Sequence, residues 1–520
     1  MSRPGKNAVL VLLAAAGVAG VVVLRISPVF NVPKWDEFIY VYDAQRILDG
    51  QVPYRDFFQF TPPADLLALA GWFKLLGGKA TLTLGRYLAT LLALAGWGWT
   101  ARALRRAGWP GRWPAALAAL YPLVLYPFWA VPSHHWMAAL LLPASLEAYD
   151  FQRGAVKGLA GWGWIGACVG LAVLTLQTAL ATLLAFWGVA WLSQKEHRAP
   201  SAGTAAAGSV LALAPLCLWL ATRGAFPAFL RDVFLWPGSH YARAGGVNSV
   251  RLLQDLPERI AALWQAPTGA HAWLWVPPAL AGTLVFLGIL LLALALVALF
   301  VRWLFQSMGR RSLGEGLQAP AAACAAITAA LYLMGKTDWL HLLYQLLPAG
   351  LAWLVAFPPA QNAKLRKGWG AALAALLACA FLYQAGRLLF HVPKTWEFAD
   401  VDRPVREAPV NAYLRAQDWL PPGARIAAFP EGGEVYLYTR PAAVSYTLLY
   451  PPDDRYHDEE DYRRVAREIL ERRPKAVVLT LDAASAFLND PCPLARPLKE
   501  RYQAFATVDG AVILRRREEP

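Results

Sequence analysis

The chain has 520 residues, of which 57% are hydrophobic and only 16% charged, well below the roughly 25% of soluble domains, so composition points away from a purely soluble protein and towards lipid. The formal charge of +14 is not a nucleic-acid signature, because from His391 onward 21 acidic residues outnumber 19 basic ones. The positive surplus lies before that point, in loops between apolar runs, where anionic lipid head groups are its natural partner.

A helix crosses about 30 Å of hydrocarbon with roughly 20 residues, and the apolar runs meet that length one after another. Spans are predicted near Ala8–Ile26, Leu82–Ala101, Pro114–Ala130, Trp136–Ala148, Ala205–Ala221, Leu274–Val301, Pro320–Gly335, Leu340–Pro358 and Trp369–Leu389. The run Leu159–Leu192 carries Thr175, Gln177 and Thr178 midway and reads as two helices joined by a tight turn. This amounts to a polytopic α-helical membrane protein of about eleven transmembrane helices over residues 1–390. A soluble α/β domain follows over 395–520. The first run is too long for a typical signal core and Arg25 follows it without a small-residue cleavage site, so it reads as a retained span.

Basic residues set the orientation. Arg102, Arg105, Arg106 and Arg112, then Arg153 and Lys157, then Arg302, Arg310 and Arg311 occupy alternate loops, which places the N-terminus in the cytoplasm and the C-terminal domain outside a bacterial inner membrane. Two outward loops are long, about 27–80 and 223–272, and loops of that length inside a compact body are usually functional. The tail reads as short buried strands at Arg425–Phe429 and Ala476–Leu481, an amphipathic helix at Glu459–Arg473, and a hairpin turning at Asp509-Gly510. It contains no catalytic motif. Cys492 alone among five cysteines lies in the exported part, so no intramolecular disulfide is expected there, and no metal-ligand spacing is present.

Carboxylates are the informative residues. Before position 391 there are 14, and Asp36, Glu37, Asp43, Asp49, Asp56 and Asp65 fall within one 30-residue stretch of the first long loop. Acids beside lipid are costly, and clustering them implies a task. Phe38–Leu48 is predicted as an amphipathic helix at the membrane interface, closed by Asp49-Gly50, and Pro62-Pro63 suits the start of a second at Ala64–Leu76. Asp36 and Glu37 would be favoured at a helix N-terminus by the dipole in any case, but that preference does not account for six acids.

The outer face also carries the cations Arg55, Lys79, Arg86, Arg243 and Lys336, whose chemistry suits an anionic group such as a phosphate, and each of which could equally serve loop solvation or snorkel to the interface. Asp338, His341 and Gln345 fall at helical spacing before Pro348, a polar stripe at the outer end of a span that suits a cavity or helix–helix hydrogen bonds. His134 and His135 suit an interfacial aromatic belt. Trp236–Arg243, with Gly245 and Gly246 as a hinge, could close over a substrate.

The order Asp36-Glu37, a helix ending Leu48-Asp49-Gly50, Val52-Pro53-Tyr54-Arg55-Asp56-Phe57-Phe58 and Thr61-Pro62-Pro63 resembles the first periplasmic loop of the GT-C superfamily. The likeness is to the bacterial branch similar to protein O-mannosyltransferases and aminoarabinose transferases. Many members have His-Pro-Pro where this chain has Thr61-Pro62-Pro63. The resemblance implies an inverting glycosyltransferase that moves a sugar from a polyprenyl-phosphate donor to a glycan, lipid or protein hydroxyl at the outer membrane face. It makes Asp36 the catalytic base, with Glu37 a supporting acceptor and Asp56 a second acid, and it places His341 in the site. A base suits the chemistry, since the attacking hydroxyl must lose a proton. No cofactor is required by the sequence, and a divalent ion at the donor phosphate has no ligand pattern to support it. The alternative is a transporter or flippase of lipid-linked glycans, although acids at the surface rather than the bilayer midplane speak for chemistry.

Overall fold

A computed structural model describes the chain chiefly over residues 35–193, 198–240, 317–334, 339–356 and 401–517. The spans expected at Ala8–Ile26, Leu274–Val301 and Trp369–Leu389 lie wholly or largely outside the described residues, as do Arg243, Gly245, Gly246, Lys336 and Asp338.

The first loop folds into helix α1 (Trp35–Leu48), a tight turn over Val52–Phe57, and helix α2 (Ala64–Leu75). Helix α3 (Leu82–Arg106) follows, with the Thr81 hydroxyl accepting from the Leu84 amide as its N-cap. Helix α4 (His134–Ser145) is apolar on every side and almost wholly buried, which makes it a central helix of the bundle. The double run resolves as expected into α5 (Gly158–Val173) and α6 (Gln177–Ser193). Helix α7 (Arg198–Thr222) contains a stretch, Ala199–Thr222, that is apolar and long enough to cross a bilayer.

Helices α5 and α7 pack backbone to backbone. A Cβ on Gly166 would stand 1.9 Å from the Ala205 carbonyl oxygen, and one on Gly208 would stand 2.1 Å from that of Gly163. Small residues at such a crossing are the usual means of association where lipid removes the hydrophobic drive. The second long loop folds back as helical turns ending in α8 (Trp236–His240), and α9 (Gln318–Met334) and α10 (Trp339–Ala356) complete the described bundle.

The tail is an α/β unit. Strands β1 (Ile426–Phe429) and β2 (Ala476–Thr480) run parallel, and β2 pairs antiparallel with β4 (Ala511–Arg516), which pairs with β3 (Tyr502–Val508). The sheet order is therefore β1-β2-β4-β3. The hairpin turns through Asp509 and Gly510, both at positive φ, as the Asp-Gly pair dictates. Helix α11 (Gly433–Tyr438) and helix α12 (Glu459–Arg472) flank the sheet, and α12 opens on a capping box formed by Asp458 and Asp461.

The tail and the first loop share their hydrophobic cores. Tyr42 belongs to the cluster around Ile426, Val478 and Ile513, while Phe58 and Trp236 belong to the one around Tyr446, Val465 and Phe487. Helix α1 is consequently not an interfacial helix with one face in lipid. Glu37, Phe38, Val41, Tyr42, Asp43, Ala44 and Arg46 are all buried, because the tail covers the side that an isolated loop would leave open.

Candidate functional site

Helix α1 presents Asp36, Ile39, Tyr40 and Asp43 along one stripe, the i, i+3, i+4, i+7 spacing of a single helix face. That stripe lines a cavity of about 50 Å³. The opposite wall is Phe58, Gln59, Phe60 and Thr61 from the first loop, with Thr447, Leu448 and His457 from the tail. Asp36 is exposed at helix position two, where the N-terminal dipole favours a carboxylate. Asp43 lies two turns further on, about 10 Å along the axis at 1.5 Å per residue, and is 1% exposed.

The two acids differ in surroundings. Asp43 accepts from the Thr447 hydroxyl at 2.8 Å and from the Gln59 amide at 3.3 Å. Burial pushes its carboxyl up to about 7, Arg46 and the Thr447 hydrogen bond oppose the rise, and Asp65 adds to it. A proton is therefore shared with this cavity near neutral pH. Gln59 is itself fixed, its carbonyl oxygen accepting from the amides of Phe60 and Thr61 and from the Thr61 hydroxyl.

Behind Tyr40 runs a second polar line. The Tyr40 hydroxyl is 3.3 Å from His134 Nδ1, which is 3.5 Å from Asp65 Oδ2, and that same oxygen accepts from the His134 amide at 3.0 Å. His134 and His135 are buried, not placed in an interfacial belt, and His135 stacks on Tyr344 with ring centres 5.0 Å apart.

The remaining sequence-selected residues are disposed differently. Glu37 and Arg86 form one bidentate ion pair, Nε to Oε1 and Nη2 to Oε2 both at 2.7 Å, at 0% and 1% side-chain exposure. Neither lines the cavity. Arg55 forks onto its neighbour Asp56 at 2.8 Å on both arms, and Asp56 also closes the turn by accepting from the Val52 amide at 2.7 Å. The Arg55 hydrogen bond holds the Asp56 carboxyl below its ordinary range. Lys79 is exposed in the turn before α3. His341 lies in α10 as expected, its side chain outside the described set. Tyr40, Gln59, Thr447 and His457 were not singled out from the sequence, and Asp43 was marked there only as one of the six clustered acids. Only Asp43 carried a usable signal, since it falls seven residues after Asp36.

No protein-family model and no curated protein matches the chain. Solved structures do. Crystal structures of ArnT from Cupriavidus metallidurans superpose with TM-scores of 0.54, for the form bound to undecaprenyl phosphate, and 0.55, for the apo form. The first pair covers 98% of each chain at 16% identity, and the second covers 97% of this chain and 98% of ArnT at 15% identity. The likeness thus extends along nearly the whole length of both chains. The chain shares the ArnT fold, here a bundle of apolar helices carrying a C-terminal α/β domain.

Proposed function

We propose that the protein is an inverting glycosyltransferase that moves a sugar from a polyprenyl-phosphate donor to an acceptor hydroxyl at the outer face of the inner membrane. The carrying observation is the cavity between first loop and tail, with an exposed carboxylate at one end and a proton-holding one inside. The fold shared with ArnT, crystallised with undecaprenyl phosphate, supports the donor class.

Asp36 is the base. Its exposure leaves it reachable, so it can take the acceptor's proton as the oxygen attacks the anomeric carbon. The phosphate leaves with the electron pair of the broken C–O bond, and a cation there stabilises the departing charge. Among the described residues the cavity wall holds no Arg or Lys, and Arg55 and Arg86 are engaged by Asp56 and Glu37. We therefore assign the phosphate contact to Lys79, Arg243 and Lys336, and further substrate contacts to Asp338 and His341. Glu37 then supports the site by anchoring α1 to α3 through Arg86.

The test is sugar transfer by purified Asp36→Asn. Turnover should fall by about 10²–10⁴, the usual worth of a positioned base, while binding of the polyprenyl-phosphate lipid persists. Wild-type turnover in a folded Asp36→Asn variant overturns the assignment.

A further inference from the structure

Away from the cavity lining, α8 of the second long loop meets the first turn of α12. His240 is stacked flat on Trp236, ring centres 4.2 Å apart at 10°, and its side chain is 7% exposed. Its Nδ1 lies 2.8 Å from the Trp236 carbonyl oxygen, an acceptor, so that nitrogen carries the proton. Nε2 is thereby aimed at Asp458 Oδ2, 3.2 Å away, and Asp461 Oδ2, 3.7 Å away. It makes a hydrogen bond to neither. A buried imidazole nitrogen facing two carboxylate oxygens without a hydrogen bond is electrostatically incomplete, and a cation completes it.

We propose that His240, Asp458 and Asp461 bind one divalent transition-metal ion of the Zn²⁺ class, clamping the second outer loop to the tail domain. The candidate ligand atoms all lie within 4.8 Å of one another. An ion about 2.1 Å from each would make Nε2–ion–O angles of roughly 100° to the Asp458 oxygen and 120° to the Asp461 oxygen, within the range of Zn²⁺ geometry. One imidazole and two carboxylates form a mixed nitrogen and oxygen set suited to Zn²⁺, and water can fill the fourth position.

The orienting contacts are in place. The Trp236 carbonyl fixes the His240 tautomer. Asp458 Oδ1 accepts from the amides of Glu460 and Asp461, leaving Oδ2 to turn towards His240. Asp461 Oδ1 accepts from the Tyr446 hydroxyl. Asp458 is 38% exposed, which leaves an entry route from solvent. The clamp also touches the cavity indirectly, since His457 in its wall has Nδ1 3.3 Å from Asp461 Oδ2.

The experiment uses the full chain in detergent, stripped with EDTA and titrated with Co²⁺ followed by visible absorption, with Zn²⁺ thermal shift in parallel. Wild type should take up one Co²⁺ per chain and melt several degrees higher with Zn²⁺. Asp458→Asn should bind at least tenfold more weakly; Asn caps a helix about as well as Asp, so α12 and the fold remain. His240→Gln should behave alike. Absence of stoichiometric uptake by wild type, or unchanged affinity in both variants, overturns the site. Because neither readout involves sugar transfer, failure here leaves the glycosyltransferase reading intact, and the converse holds too.

Discussion

A single carboxyl shows how far placement governs chemistry. Asp43 sits on the same helix face as Asp36, yet Asp43 is buried and its carboxyl is pushed up to about 7 while Asp36 faces solvent. The folded protein keeps a proton on Asp43 that the unfolded chain releases at its ordinary value of 3.8. The native state then binds more protons than the unfolded state between those values, so stability falls as pH rises from about 4 to about 7 and stays low above. The full loss is on the order of 4 kcal/mol. Asp43→Asn should therefore flatten this slope and melt above wild type at pH 8 but not at pH 4.5, as thermal denaturation at the two pH values will show. The Glu37–Arg86 pair makes the opposite case. Arg86→Met leaves a buried, unpaired carboxylate and should cost about 3–5 kcal/mol, with much of it recovered in the double variant Glu37→Gln/Arg86→Met. Detergent-phase unfolding of the three variants measures the coupling. That pair was not legible in the chain, because its partners stand 49 residues apart and each also suited another role.

Between elements, close approach is set by glycines. Helix α11 lies so near α1 that a Cβ on Gly433 would come within 2.9 Å of the Phe38 carbonyl carbon and 3.0 Å of the Ile39 nitrogen. Neither backbone atom can swing aside as a side chain would. Gly433→Val should push the tail from the first loop, open the cavity wall at Thr447 and lower turnover with little change in the tail's own sheet, read by activity together with hydrogen exchange over β1 and β2. The element types in the tail were largely predictable. Apolar β-branched runs gave β1 and β2, the 3.6 period gave α12, and Asp509-Gly510 gave the hairpin turn. Helix α1 was also placed within a few residues, but its surroundings were not, since one amphipathic pattern serves equally against lipid and against another domain.

Across the whole molecule, the tail is tied to the bundle at a few defined points. Asp402 caps the start of α3, accepting from the Leu82 amide at 2.8 Å and from the Thr83 amide and hydroxyl at 3.2 and 2.8 Å. Arg46 reaches the Ser445 carbonyl at 3.3 Å, and Tyr42 accepts from the Ala442 amide at 2.7 Å. Asp402→Ala should thus raise exchange at the Leu82 and Thr83 amides by at least tenfold while the tail sheet stays protected, a pattern that hydrogen-exchange mass spectrometry resolves. The amino-acid sequence by itself determined the membrane class, the run of apolar helices, the α/β character of the tail and the acid-rich first loop, because hydropathy, period and turn chemistry act over a few neighbouring residues. Which of those acids share a cavity, which are locked in ion pairs, and that the tail supplies Thr447 and His457 to the wall were decided only by tertiary structure. Those contacts join positions up to about 400 residues apart, and burial, which sets the charge of each carboxyl, exists only after the chain has closed on itself.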